Sequence, residues 1–307
     1  MYAHVRHLPN FFILGARRAG TGSLTHYLGQ HPDIQFTEPR DPAYFQKDEV
    51  HQLGVEYYIR TFCNNGHAKA WLGESSSCYF GAPHLVGPRM RAHYGDMPLK
   101  FIVLLREPVS RAWSHYLMRV HHGDEKRDFA TALAEESKEP PNSNARYFDE
   151  GRYVHHLTEW QNYYPLDSFL LLLSEDLAAN PMAQVRRVFT WLGVDPQVPI
   201  NTSERRHVAR YSRSRKLINF LNHPPAWIRN ISKQIWPQTW QRHRIRHNLR
   251  ERFQAVYQTP PPIDPAIAVV LRQQYRGEVL ALSKLLGRYL SNWLSEDELE
   301  EPLTLIN

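Results

Sequence analysis

The chain has 307 residues, about two average domains by length, a size at which many α/β enzymes form one. Hydrophobic residues make up 42% and charged residues 22%, which excludes wholesale disorder and allows a large core built without disulfides. Lys and Arg number 37 against 31 Asp and Glu, a net charge of +6 that favours an anionic partner. Cys63 and Cys78 form neither a metal pattern nor a disulfide framework, and the 17 histidines show no H-E-x-x-H arrangement, so no metal site is expected. No apolar stretch reaches the length of a membrane span, and Met1 to Pro9 lacks a signal-peptide core. A cytoplasmic protein without a membrane span is the expectation.

The first element is Phe11-Phe12-Ile13-Leu14, an apolar run that predicts a buried parallel strand. A loop from Gly15 to Gly20 follows, then a helix beginning near Thr21, with Leu24, Tyr27 and Leu28 at helical spacing and Thr21 or Ser23 as its cap. A second strand is predicted at Phe101–Leu105, leaving through Arg106-Glu107-Pro108 into a helix from Val109. A third is Phe169–Leu173, preceded by an amphipathic stretch from Val154 to Tyr164 and followed by a helix from Pro181 to Leu192 that stops at Gly193. Beyond Asp195 the texture changes to an arginine cluster at 204–216, a Trp- and Arg-rich segment at 224–262, and a final helix from Pro265 to Leu290. No repeat or low-complexity tract interrupts this order. The alternation predicts one α/β domain over 1–307. Its P-loop-like core, about 8–200, has a central parallel sheet flanked by helices, and a helical C-terminal extension runs over about 201–307.

Gly15-Ala16-Arg17-Arg18-Ala19-Gly20-Thr21 has the G-x-x-x-x-G spacing of a phosphate-binding loop between strand and helix. Glycines allow the tight turn, and successive N–H groups with the helix N-terminus face an anion. A nucleotide triphosphatase would carry Lys at position 21. Here Thr21-Gly22 stands there, and the cation lies earlier, at Arg18.

Phe11 to Pro32 resembles the 5′-phosphosulfate loop of sulfotransferases that use 3′-phosphoadenosine-5′-phosphosulfate (PAPS), commonly G-x-x-K-x-G-T-T-x-L. Phe101 to Tyr116, FIVLLREPVSRAWSHY, resembles that family's 3′-phosphate motif. Gly73 to Tyr79 resembles its G-E-x-[ST]-P-x-Y segment, and Gly151-Arg152-Tyr153 a later landmark. The likeness is to the bacterial and heparan-sulfate-type branch.

The resemblance implies a transferase with PAPS as donor, PAP as product and no metal. It places the 5′-phosphosulfate on the backbone of Ala19, Gly20, Thr21, Gly22 and Ser23, beside Arg17 and Arg18. Arg106 and Ser114 take the 3′-phosphate, with Tyr153 and Arg210 as further nucleotide contacts. Arg18 stands where the family has its catalytic Lys. Since it does not release a proton near neutral pH, its implied role is charge stabilisation on the leaving group. Glu38, in Thr37-Glu38-Pro39, matches the glutamate that serves as base in heparan-sulfate-type members, with His26 as runner-up. Arg40, Ser76, Tyr79 and His26 are the implied acceptor contacts. The acceptor itself is a small molecule or carbohydrate, through a hydroxyl or an amine, and no nucleic acid is implied. Two other readings compete: a P-loop phosphoryl-transfer enzyme using ATP and magnesium, and a non-catalytic basic module that binds polyanions.

Overall fold

The computed structural model describes residues 8–63, 69–140, 143–203 and 261–294. Five parallel strands form its centre: β1 Phe11–Gly15, β2 Ile34–Phe36, β3 Trp71–Ser75, β4 Lys100–Leu105 and β5 Phe169–Leu173, in the order β2-β3-β1-β4-β5. Side chains along β1 and most of β4 are fully buried, as expected of strands covered on both faces. The apolar run of β1 therefore sits at the middle of the sheet. Two strands are additions to the sequence prediction: β2 has three residues, and β3 carries the polar sequence WLGES. Gly73 lets β3 lie between Phe11 and Phe36, whose rings meet edge to face at 5.3 Å; a Cβ there would stand 2.3 Å from the Phe11 ring.

The covering helices are α1 Thr21–Leu28, α2 Asp48–His51, α3 Gly54–Tyr58, α4 Pro83–Tyr94, α5 Pro108–His122, α6 Phe129–Ala134, α7 Tyr153–Trp160, α8 Ser174–Ala179 and α9 Pro181–Leu192. Helix α5 starts at Pro108 behind Glu107, whose carboxylate accepts the Val109 and Ser110 N–H groups. Helix α9 stops at Gly193 in the left-handed conformation, as its sequence predicts.

The predicted C-terminal helix is α10, Pro265–Leu286, which ends at Gly287. It packs on α5 and α7. Glu278 accepts the Val154 N–H at 2.9 Å, the Tyr275 hydroxyl donates to the Phe148 carbonyl at 2.6 Å, and Trp113 donates to the Pro261 carbonyl at 2.9 Å. The segment 204–260, with Arg210, the 204–216 arginine cluster and nearly all of the Trp- and Arg-rich stretch, lies outside the described residues. No described helix is long and apolar enough to cross a membrane.

Chain order fixes where a ligand can enter. From β1 the chain runs to β2 on one side, returns to β3, then crosses β1 to reach β4 and β5 on the other. The carboxyl ends of β1 and β4, whose connections depart in opposite directions, flank the crevice where open α/β sheets take ligands.

Candidate active site

The loop after β1 is fixed at each end. The Ala16 N–H donates to the Leu104 carbonyl at 2.7 Å, and the Phe80 N–H to the Leu14 carbonyl at 2.9 Å. Gly15, at φ 154°, is pressed against this second contact: an added Cβ would lie 2.8 Å from the Phe80 Cβ. Gly20 is the N-cap of α1, at φ 100° and without a side-chain cap, which replaces the expected cap by Thr21 or Ser23. A left-handed glycine turns the N–H groups of the first helical turn outward, where an anion meets them and the helix dipole. The Ala19 carbonyl accepts from Ser174 Oγ, tying the loop to the start of α8.

Arg18 joins this loop to the element after β4. Its Nε donates to Ser114 Oγ at 3.1 Å, one guanidinium N–H reaches Met118 Sδ at 3.7 Å, and its own carbonyl accepts from Arg106 at 3.1 Å. Arg18, Arg106 and Ser114 are thus one cluster at the crevice. The two stretches singled out in the sequence meet there.

Arg17 behaves differently from its neighbour. Its guanidinium passes beneath the loop to Glu150, 3.0 Å away, and donates to His115 Nε2 at 3.4 Å. Glu150 also holds Arg111, fully buried, at 3.3 Å, with the His115 ring at 3.5 Å. Burial opposes the charges of Arg17 and Arg111, but neighbours including Glu150 favour them, and both stay cationic. His115 is pushed well below the usual histidine range by burial and by Arg17 and Arg111, so it is neutral. The head group of Arg17, expected beside the donor, is thus paired with a buried carboxylate. Tyr153, expected as a further nucleotide contact, is 2% exposed and its hydroxyl donates to the Arg106 carbonyl at 2.7 Å, so it braces the Arg106 turn.

Removing the Glu150 charge leaves two guanidinium groups without their carboxylate. Glu150→Gln is expected to lose about 3–5 kcal/mol of unfolding free energy. Urea denaturation at pH 7 measures it, and a change below about 1 kcal/mol would show that the cluster is compensated elsewhere.

The opposite wall comes from the segment between β2 and α2. The Thr37 N–H bonds the Gly73 carbonyl at 2.9 Å and the Glu38 N–H the Phe62 carbonyl at 3.0 Å, which leaves Glu38 exposed on a fixed backbone. Arg40 is also exposed. Arg18, Asp41 and Ala43, at φ 70°, 58° and 50°, are the described non-glycine residues in the left-handed region. All three lie in the two loops that form the cleft, where strained backbone is often kept for function. Asp41 is exposed as a residue, yet partial loss of water holds its carboxyl above the usual carboxylate range, against the pull of Arg17 and Lys47.

Ser76 and Tyr79, expected to touch the acceptor, are fully buried. Ser76 Oγ accepts the Ala43 N–H and the Tyr79 hydroxyl accepts the Phe45 N–H, each at 3.1 Å, so they support the acceptor-side loop from beneath. His26 is half-buried on α1 with its ring against Tyr27. Thr25 Oγ1 donates to Ser75 Oγ at 2.9 Å, tying α1 to the end of β3.

Sequence reasoning passed over Glu74, Asp41, Arg111, His115 and Glu150. Arg111, Ser114 and His115 share one helical face by their i, i+3, i+4 spacing, a readable signal. Nothing local marks Glu150 as their partner. Among the described residues, His155, His156 and Glu159 on α7 have potential metal-ligating atoms within 4.8 Å of one another.

Comparison with known proteins bears on the family and the fold. The sulfotransferase domain family matches residues 8–269. A bovine bifunctional heparan sulfate N-deacetylase/N-sulfotransferase 2 is 29% identical over 202 residues, 62% of this chain and 22% of that protein. A human heparan sulfate glucosamine 3-O-sulfotransferase 6 is 28% identical over 189 residues, 62% of this chain and 53% of that protein. The match therefore spans about half or less of each of these relatives. A crystal structure of a sulfotransferase from Alicyclobacillus acidocaldarius superimposes with a TM-score of 0.66 at 24% identity, covering 93% of this chain and 98% of that one, and shares the fold.

Proposed function

The chain belongs to the sulfotransferase domain family, and from that premise we propose that it transfers a sulfuryl group from PAPS to a hydroxyl or amine of a carbohydrate acceptor. The observation that carries the reading is the Arg106–Arg18–Ser114 cluster, which joins the β1 loop to the β4 turn with contacts of 3.1 Å. A nucleotide with phosphates at both ends of one ribose needs such a paired cradle. Two guanidinium groups beside a helix N-terminus fit that doubly anionic ligand.

PAPS supplies the sulfuryl group and leaves as PAP. The backbone of Ala19 to Ser23 would hold the 5′-phosphate end, and Arg106 with Ser114 the 3′-phosphate. As the bridging oxygen–sulfur bond breaks, charge grows on the phosphate side, where Arg18 would stabilise it. The acceptor oxygen or nitrogen forms the new bond to sulfur, and its proton passes to Glu38. The reading assigns no step to a metal. The curated relatives named above are heparan sulfate enzymes, which favours a glycan over other small molecules as acceptor.

Thermal shift tests the reading, because a ligand of the native state raises its stability. PAP at about 100 times its Kd is expected to add about 2.7 kcal/mol without magnesium. A shift by ATP that requires magnesium would instead favour phosphoryl transfer. Binding of any polyanion that collapses with salt would favour a basic binding module. No shift with PAP at millimolar concentration would end the proposal.

A further inference from the structure

Glu74, in β3, is fully buried at the centre of a hydroxyl network. Ser76 Oγ donates to its Oε1 at 2.6 Å, the Tyr58 hydroxyl donates to Oε2, and Tyr79 also bonds the carboxyl. Two of these partners hold the segment that carries Glu38 and Asp41: Ser76 takes the Ala43 N–H and Tyr79 the Phe45 N–H. Tyr58 adds a stacked contact with Tyr44, ring centres 4.4 Å apart. Three struts under residues 43–45 therefore run through the direct partners of one carboxyl group, while the Thr37 and Glu38 N–H groups are held separately by the Gly73 and Phe62 carbonyls.

We propose that Glu74 is the positioning residue of the acceptor-side loop, a latch that keeps residues 37–46 closed against β3 through Ser76, Tyr58 and Tyr79. The loop's role toward an acceptor rests on the functional reading above; the latch itself does not.

The latch responds to pH. Burial lifts the Glu74 carboxyl from 4.5 to about 7, against the hydrogen bonds of Ser76, Tyr58 and Tyr79, with Asp41 adding to the rise. The groups facing it are Asp41 in the loop, Tyr58 on α3, Cys63 just after that helix, Cys78 and Tyr79 after β3, and Tyr94 on α4. Tyr58 and Tyr79 are pushed well above the usual tyrosine range by burial and by Glu74, so both remain protonated. Opening the loop lets water reach the carboxyl and returns it toward its ordinary value. Protons therefore favour the closed form. That preference is complete below the ordinary value of 4.5 and is lost as pH rises through about 7.

Hydrogen exchange of residues 37–46, corrected for the intrinsic pH dependence of exchange, reads the latch without donor or acceptor. Between pH 5 and pH 8 the opening equilibrium of the wild-type protein is expected to rise, by about a hundredfold at most. The 15–23 segment of the same protein serves as the internal control and should not follow. In Glu74→Gln the side chain is neutral at every pH, and the 37–46 segment is expected to stay protected throughout. A wild-type series flat to within about twofold, or a Glu74→Gln series that rises like the wild type, overturns the latch. PAP titration of the same samples tests the functional reading separately, since a failure there leaves the exchange result untouched.

Discussion

Arg18→Ala is expected to lower turnover by about 10²–10³-fold, the usual cost of removing one preorganised donor from developing charge. The effect on PAP is the informative part. A role confined to the sulfuryl group would leave PAP affinity unchanged, because PAP lacks that group. In the structure, however, the Arg18 guanidinium leans toward α5, with Nε on Ser114 and a terminal N–H on Met118. One lost charge-assisted contact there should weaken PAP by about tenfold or more. Arg18→Lys separates the two contributions. A compact ammonium can replace the charge but not the planar fork that reaches two partners, so turnover should largely return while PAP affinity does not. Steady-state PAP release with a heparan-type glycan and calorimetric PAP titration give both numbers. Turnover within about twofold of wild type in Arg18→Ala would remove Arg18 from the mechanism.

The cluster that supports this prediction was legible because each of its parts has a local signature. Gly15 and Gly20 bracket a loop between an apolar run and a helical pattern, and Arg106 stands where a buried strand meets a proline. Strands β1, β4 and β5 announced themselves as unbroken apolar runs. Strand β3 did not, because its inward positions are occupied by Gly73 and Glu74, each for a tertiary reason. Gly73 makes room for the Phe11 and Phe36 rings, and Glu74 gathers hydroxyls from α3 and from the turn after β3. The Phe11 and Phe36 rings and the Tyr58 hydroxyl all lie more than ten residues from β3, so a short window does not show them.

The same limit explains Arg17 and Arg18. Adjacent in sequence and alike in chemistry, both are expected beside the 5′-phosphosulfate, with the leaving-group role on Arg18 alone. The left-handed turn at Arg18 aims their side chains in different directions, one along the crevice and one into a buried cluster with Glu150. The partner that distinguishes them lies more than a hundred residues away. Ser76 and Tyr79 were read as acceptor contacts for a related reason. Motif position placed them near the cleft, while their burial puts them a layer below its wall.

Glu38→Gln tests that wall directly. Loss of the base is expected to cost about 10²–10⁴-fold in turnover, with PAP affinity unchanged. The separation follows from the sheet order. Glu38 follows β2, at one edge of the sheet, whereas Arg106 and Ser114 follow β4 on the other side of β1. Its side chain is exposed, so the substitution should alter stability by no more than about 0.5 kcal/mol, and lost turnover would then report on chemistry. Asp41 provides the sharper control. It lies on the same segment, toward Arg17 and Ser76, and partial loss of water already holds its carboxyl above the usual range. If Glu38→Gln retains activity and Asp41→Asn loses it, the proton acceptor is Asp41, and Glu38 is an exposed carboxylate on the rim. If Glu38→Gln alone collapses the rate, the fixed backbone at Thr37 and Glu38 is what aims the base. Ionising Glu74, which opens the neighbouring residues 43–45, should then lower turnover without weakening PAP.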